Sequence, residues 1–228
     1  MELDFLKSAV KTGRKTLSEY ESKKLLAAYG VRVVEEELAA TVEEACAAAA
    51  RIGFPVAMKA CGAAVTHKTE KKLVELGVGS PGEVEKLFAA LEERAGGGID
   101  GVLVQKMVKG SRELVAGLIR DNTFGPCVMF GLGGIYTELL KDVSFRVAPL
   151  EPRDALEMMS EIKSADILGS FRGMPPVDKE QLAAVLIALG RLGLEHPEVA
   201  EIDINPLIIT ADGTPVAVDA LVALKKEE

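Results

Sequence analysis

Three oxygen-bearing side chains near the end of this chain are spaced for cation chemistry. In Glu201-Ile-Asp-Ile-Asn-Pro-Leu-Ile-Ile209 the apolar residues 202, 204, 207, 208 and 209 predict a buried strand. Asp203 and Asn205 then share its opposite face, because strand side chains alternate with period two. The turn signal Ala211-Asp-Gly-Thr leads to Val216-Ala-Val-Asp-Ala220, a second strand. Its return as a hairpin brings Asp219 back toward Asn205. Converging oxygen ligands suit a hard cation such as magnesium, which takes one or two protein groups and leaves the rest of its shell to phosphate and water. The same residues also describe a polar strand face beside an Asp-Gly turn.

Other side chains could act on a phosphate-bearing ligand. Lys59 leaves the apolar run Phe54–Ala60 at the edge of a loop, where it is either a point charge for phosphate oxygens or a surface lysine at a strand end. Gln105, Lys106, Met107 and Val108 close another strand. Their backbone can offer hydrogen bonds to an adenine edge while Met107 and Val108 pack on the ring, or they simply run a core strand into a turn. Glu113 follows and can accept from a ribose hydroxyl, or is an ordinary strand charge. His67 sits in the ionisable loop Thr66-His-Lys-Thr-Glu-Lys-Lys72, where imidazole can take a phosphoryl group or a proton, or be plain surface. Gly131-Leu-Gly-Gly134 could let backbone approach a phosphate, but it is neither a Walker A loop nor a dinucleotide fingerprint. His196, in Glu195-His-Pro-Glu198, reads as a loop residue.

These residues need elements to hold them. Ser18-x-x-Glu21, Thr41-x-x-Glu44 and Ser80-Pro-x-Glu83 are capping boxes, opening helices that end near Gly30, Arg51 and Arg94. Residues 1–17 are a basic lead-in with weak structure. Strands are expected at 31–38, 54–60, 73–78, 127–130 and 143–147. Two more, 101–108 and 113–120, are read as a hairpin through Lys109-Gly-Ser111. Helices are expected at 152–162 and 178–194, the latter with Leu182, Val185, Leu186 and Leu189 on one side. Capped helices alternating with strands and hairpins say α/β or α+β with mixed sheets, with a lobe boundary near 96–108.

The chain has 228 residues, 48% of them hydrophobic, and a net charge of −8, which with no lysine/arginine stripe argues against a nucleic-acid surface. Cys46, Cys61 and Cys127 are scattered, with no disulfide or zinc spacing, and fit a reducing compartment. No signal peptide or membrane-length apolar run is present, so a cytoplasmic protein without a membrane partner is expected.

Taken together, residues 17–224 resemble the ATP-grasp β subunit of the ADP-forming acyl-CoA synthetases. The blocks that carry the likeness are Phe124-Gly-Pro-Cys-Val-Met-Phe-Gly-Leu-Gly-Gly-Ile-Tyr-Thr-Glu-Leu-Leu-Lys-Asp-Val-Ser-Phe-Arg-Val-Ala-Pro149, Arg172-Gly-x-Pro-Pro176 and Glu201-Ile-Asp-Ile-Asn-Pro-Leu207. The resemblance implies an α+β ATP-grasp fold: a small lobe at 18–104 and a large lobe at 105–228, clamping ATP after the lead-in 1–17. It implies that Lys59 meets phosphate, Gln105 to Val108 form the hinge that meets adenine, and Glu113 contacts the nucleotide. Asn205 and Asp219, with Asp203 nearby, match the magnesium ligands, and His67 matches the histidine that relays a phosphoryl group. The implied cofactors are ATP/ADP and Mg2+, and the implied partner is a CoA-binding α subunit in a hetero-oligomer. Where the family reads Lys-Ser-Asp-Val-Gly-Gly after the histidine, this chain reads Lys-Thr-Glu-Lys-Lys-Leu73, and the family's Asp-Ala-Arg is Asp219-Ala-Leu221. A carboxylate ligase working through an acyl phosphate, and a non-catalytic ATP-binding subunit, are the rival readings.

Overall fold

The computed structural model describes residues 3–63, 72–134, 142–170 and 173–225. The chain forms two compact units. The first comprises Met1–Lys15, Ser22–Val33 and Val108–Glu228, and the second Thr16–Glu21 and Val34–Met107.

In the second unit, strands β1 (Glu36–Ala39), β2 (Val56–Cys61), β3 (Val74–Val78) and β4 (Gly101–Lys106) form an antiparallel sheet in the order β1-β4-β2-β3. Helices α3 (Val42–Ile52) and α4 (Pro81–Ala95) pack on it. Each opens on a side-chain cap: Glu44 N–H donates to Thr41 Oγ1 at 3.2 Å and Glu83 N–H to Ser80 Oγ at 3.4 Å. Ala45, Ala48, Ala49, Val84, Phe88 and Leu91 from the helices meet Val56, Met58, Val102 and Val104 from the sheet in one core. Each fully buried side chain of valine size or larger contributes roughly 1.5–3 kcal/mol. α4 stops where Gly96 turns left-handed at φ 69°, a conformation that suits glycine.

The first unit holds β5 (Gly110–Asp121), β6 (Gly125–Leu132), β7 (Val143–Val147), β8 (Val199–Thr210), β9 (Pro215–Ala217) and β10 (Ala220–Leu224). The order is β10-β8-β5-β6-β7, with β9 also on β8, and every pairing is antiparallel. Helices α5 (Pro152–Glu161) and α6 (Lys179–Glu195) pack against this sheet, burying Leu118, Val128, Phe130, Met158, Leu186 and Leu189. Asp178 caps α6 by accepting from Glu180 and Gln181 N–H groups at 3.1 and 2.9 Å.

Three local expectations are corrected. The lead-in contains helix α1 (Asp4–Lys11), whose Leu6 and Ala9 are buried. Residues 31–35 are not strand: in this stretch only Val33 makes an isolated bridge, to Ala217, and β1 begins at Glu36. β4 and β5 are not a hairpin, because β4 pairs with β1 and β2 while β5 pairs with β6 and β8. Residues 107–109 carry the chain from one sheet to the other. Among the described residues, no helix is long and apolar enough to cross a membrane.

Candidate functional site

Pro206 decides the geometry around the oxygen-bearing residues. β8 is flanked by β5 on one side and by β9 and β10 on the other, so it is a central strand, and proline cannot donate to its ladder. The strand bulges there. Leu114 pairs with Leu207 and Ala116 with Ile204, so Asn205 and Pro206 together face one residue of β5. On the other edge Leu207 pairs with Ala217 and Ile204 with Ala220, which sets Val218 and Asp219 opposite Asn205 and Pro206. The returning strand is thus broken into β9 and β10 at the level of the bulge. Asp219 lies in the break.

Asp203, two residues before Asn205, alternates with buried Ile202 and Ile204. Its own burial, then the negative charges of Glu201 and Asp219, push its carboxyl up to about 6. A cation would relieve that repulsion. All three side chains offer oxygen, the donor set of a hard ion. Among the described residues no three His, Cys, Asp or Glu side chains form a group able to hold a metal by themselves. Oxygen donors of this kind are those that magnesium takes when phosphate and water complete its shell.

Glu113 stands next to this bulge along β5. Gly133 N–H donates to the Glu113 carbonyl at 2.9 Å, and Gly134 N–H donates to Asn205 Oδ1 at 3.3 Å. A Cβ on Gly134, where φ is +67°, would collide with Glu113 Oε2, and one on Gly133 would sit 2.5 Å from the Leu114 backbone. The glycines therefore bring backbone against β5 and its carboxylate. Glu113, Gly134 and Asn205 form one contiguous group.

The second unit carries the other candidates. Lys59 is not at a strand end: it lies inside β2, buried, with Nζ 2.8 Å from Glu19 Oε1. The two side chains are 6% and 1% exposed. Glu19 opens helix α2 (Glu19–Ala28), set by the Ser18 capping box, in which Glu21 N–H donates to Ser18 Oγ and Ser18 N–H to Glu21 Oε2 at 2.8 Å. Sequence reasoning missed Glu19, and nothing local marks it. Gln105 is buried with its amide donating to Glu36 Oε2 at 3.0 Å, so its side chain serves the sheet. Lys106 is exposed and pairs with Glu35 at 2.9 Å, while Met107 is half-buried. Val108, also half-buried, opens the last stretch of the first unit.

His67 lies outside the described residues, as do residues 135–141 and Arg172 of the resemblance blocks. His196 follows α6, with Nδ1 3.0 Å from Glu198 and its ring edge-on to Tyr29 at 5.8 Å.

An ATP-grasp domain family matches residues 8–224. The β subunit of ADP-forming acetate–CoA ligase I from Pyrococcus furiosus is 42% identical over 219 residues, covering 94% of each chain. An acetyl-coenzyme A synthetase from Ca. Korarchaeum cryptofilum, solved with coenzyme A and Ca-AMPCP, superposes with a TM-score of 0.92 at 42% identity. It covers 97% of this chain and 99% of that one. The same synthetase with coenzyme A and Mg-AMPPCP, its phosphohistidine segment pointing towards the nucleotide binding site, gives a TM-score of 0.86 at 42% identity over 97% and 99% of the two chains. This chain belongs to the ATP-grasp domain family and, within it, to the β subunits of ADP-forming acetate–CoA ligases.

Proposed function

We propose that this chain is the nucleotide-binding subunit of an ADP-forming acyl-CoA synthetase. With a separate CoA-binding α subunit it serves the reaction acyl-CoA + ADP + phosphate ⇌ carboxylate + CoA + ATP. The observation that carries the reading is the β8 bulge, with Asn205 facing Asp219, in a chain 42% identical to a β subunit of this class. The lobes are taken as 18–104 and 105–228 after the lead-in 1–17, and the place of action as the cytoplasm.

Asn205 and Asp219, with Asp203 beside them, hold Mg2+. When bound, the ion neutralises charge on the phosphate oxygens. Lys59 is the phosphate-contacting lysine, and Glu19 fixes where its ammonium sits. Residues 105–108 offer backbone groups to the adenine edge, since the Gln105 amide is already engaged by Glu36. Glu113 accepts from a ribose hydroxyl. His67 is the relay: an imidazole nitrogen takes the γ-phosphoryl group as its bond to ADP breaks, then passes it on toward the acyl chemistry. The Mg-AMPPCP complex of the related synthetase, with its phosphohistidine segment pointing towards the nucleotide binding site, supports a phosphohistidine route in this class of enzyme.

Mixed with its CoA-binding partner, acetyl-CoA, ADP, phosphate and Mg2+, the chain should form ATP, and leaving out the partner should abolish it. ATP-dependent ligation by the chain alone would point instead to an acyl-phosphate ligase. Nucleotide binding without turnover in the complex would point to a regulatory subunit.

A further inference from the structure

Lys23 is one of the largest fully buried side chains described, 1% exposed, and an ammonium is costly to take out of water unless strong acceptors meet it. Its Nζ donates to the carbonyl of Val218 at 3.2 Å. Val218 is the residue before Asp219, in the break between β9 and β10 where the ladder is interrupted. One residue back on the same helix, Ser22 Oγ accepts from Val222 N–H at 3.1 Å. The backbone on both sides of Asp219 is therefore held by adjacent side chains of α2. Two further bonds complete the clamp: Val218 N–H donates to the Pro206 carbonyl at 3.2 Å, and Ala217 N–H to the Arg32 carbonyl at 2.9 Å.

A two-residue break needs such a clamp. In a regular strand, ladder bonds on one side fix each residue, but Val218 and Asp219 face a bulge containing a proline that donates nothing. The part-buried Val218 carbonyl finds its donor in Lys23.

We infer that Lys23 is a positioning residue for magnesium: by binding the Val218 carbonyl it sets the backbone that carries Asp219. This rests on the proposal that Asp219 is a magnesium ligand. Lys23 touches neither metal nor nucleotide in this role, so its loss should weaken the metal without abolishing nucleotide binding. Groups that orient metal ligands typically contribute about 10- to 100-fold in metal affinity.

The test measures AMPPCP binding by calorimetry on the full chain over a range of Mg2+ concentrations. The variants are Lys23→Met, Lys23→Arg, Ser22→Ala and Asp219→Ala. Lys23→Met keeps the stem and removes the charge; it leaves the Val218 carbonyl without this donor, so its melting temperature should fall and is measured beside the binding. Its half-saturating Mg2+ concentration should rise about tenfold or more, with Mg2+-free AMPPCP affinity unchanged. Ser22→Ala should move the same quantity in the same direction by less, and Lys23→Arg should recover part of the loss. If Asp219→Ala raises the Mg2+ requirement but Lys23→Met, folded, does not, the positioning role is wrong. If Asp219→Ala itself changes nothing, the metal reading beneath it fails instead. Should Lys23→Met not fold, an unchanged Mg2+ requirement in folded Ser22→Ala overturns the inference.

Discussion

The buried pair of Lys59 and Glu19 yields the most quantitative expectation. Both side chains are almost wholly out of water, so solvent screening does little to weaken the 2.8 Å contact. Removing one partner takes this contact from the other charge in a low-dielectric interior, at a cost of about 3–5 kcal/mol. For a chain of 228 residues each kcal/mol moves the melting temperature by about 2–4 °C, so Glu19→Leu or Lys59→Met alone should lower it by about 6–20 °C. Glu19 also stands in the first turn of α2, where losing a negative charge adds about 0.3–1 kcal/mol. The double variant removes both charges together and should recover most of the loss, because an apolar pair of similar volume is often as stable as a buried ion pair. Thermal unfolding of the four proteins in the cycle reads this directly. Single variants costing under about 1 kcal/mol, the range of an exposed ion pair, would refute the claim that the pair is desolvated. The double variant then becomes a functional tool. Folded but lacking the ammonium, it should bind AMPPCP about 10- to 100-fold more weakly, the worth of one hydrogen bond to a charged group.

Three further outcomes follow from the same geometry. Asp219→Ala should raise the Mg2+ requirement for nucleotide binding at least about tenfold, or about 1.4 kcal/mol, and unchanged titrations would remove Asp219 from the metal site. Gly133→Ala drives a Cβ into the Leu114 backbone and should cost about 1–3 kcal/mol in urea unfolding, whereas wild-type stability would mean the β6 end is not held against β5. Asp142 accepts from the Lys163 N–H at 2.6 Å, the Ser164 N–H at 2.8 Å and the Ser164 hydroxyl at 2.5 Å. Burial pushes its carboxyl up, but these bonds and the Lys163 charge outweigh burial and hold it below the usual range. A lowered folded pKa stabilises above the unfolded value, about 3.9, and that stability is lost as pH falls through the folded value. The stability gap between wild type and Asp142→Asn should therefore be flat near neutrality and narrow below about pH 4; a gap that stays constant into stronger acid would contradict it.

Capping boxes, amphipathic faces and the alternation of Asp203 and Asn205 are local signals, and they made most helices and the β8 strand legible from sequence. What escaped was set by distant partners. Lys109-Gly110-Ser111 between two apolar runs looks like a hairpin turn, yet β4 finds its partners at residues 36–39 and 56–61, and β5 at residues 125–132 and 199–210. Helix α1 is short and its start has no side-chain cap; Asp4 in its first turn, Lys11 in its last and the apolar face that buries Leu6 and Ala9 are its only marks. Lys59 looked like a strand-end lysine because its neutralising carboxylate, Glu19, is 40 positions away in sequence. At the candidate metal end Pro206 carries a further signal, since a proline in a central strand demands a bulge. The roles of Lys59, Glu113, Asn205 and His67 came from family resemblance, because no spacing alone distinguishes a phosphate lysine from a structural one.

In the proposed function a phosphoryl group passes through His67 on its way to a CoA-binding partner. Incubating the chain and that partner with γ-labelled ATP and Mg2+, then assaying protein-bound label that is lost in acid, tests it most directly. Wild type should be labelled and His67→Ala unlabelled, with label discharged by the addition of CoA and a carboxylate. Equal labelling of both proteins, or none in a complex that makes ATP from acetyl-CoA, ADP and phosphate, would contradict it.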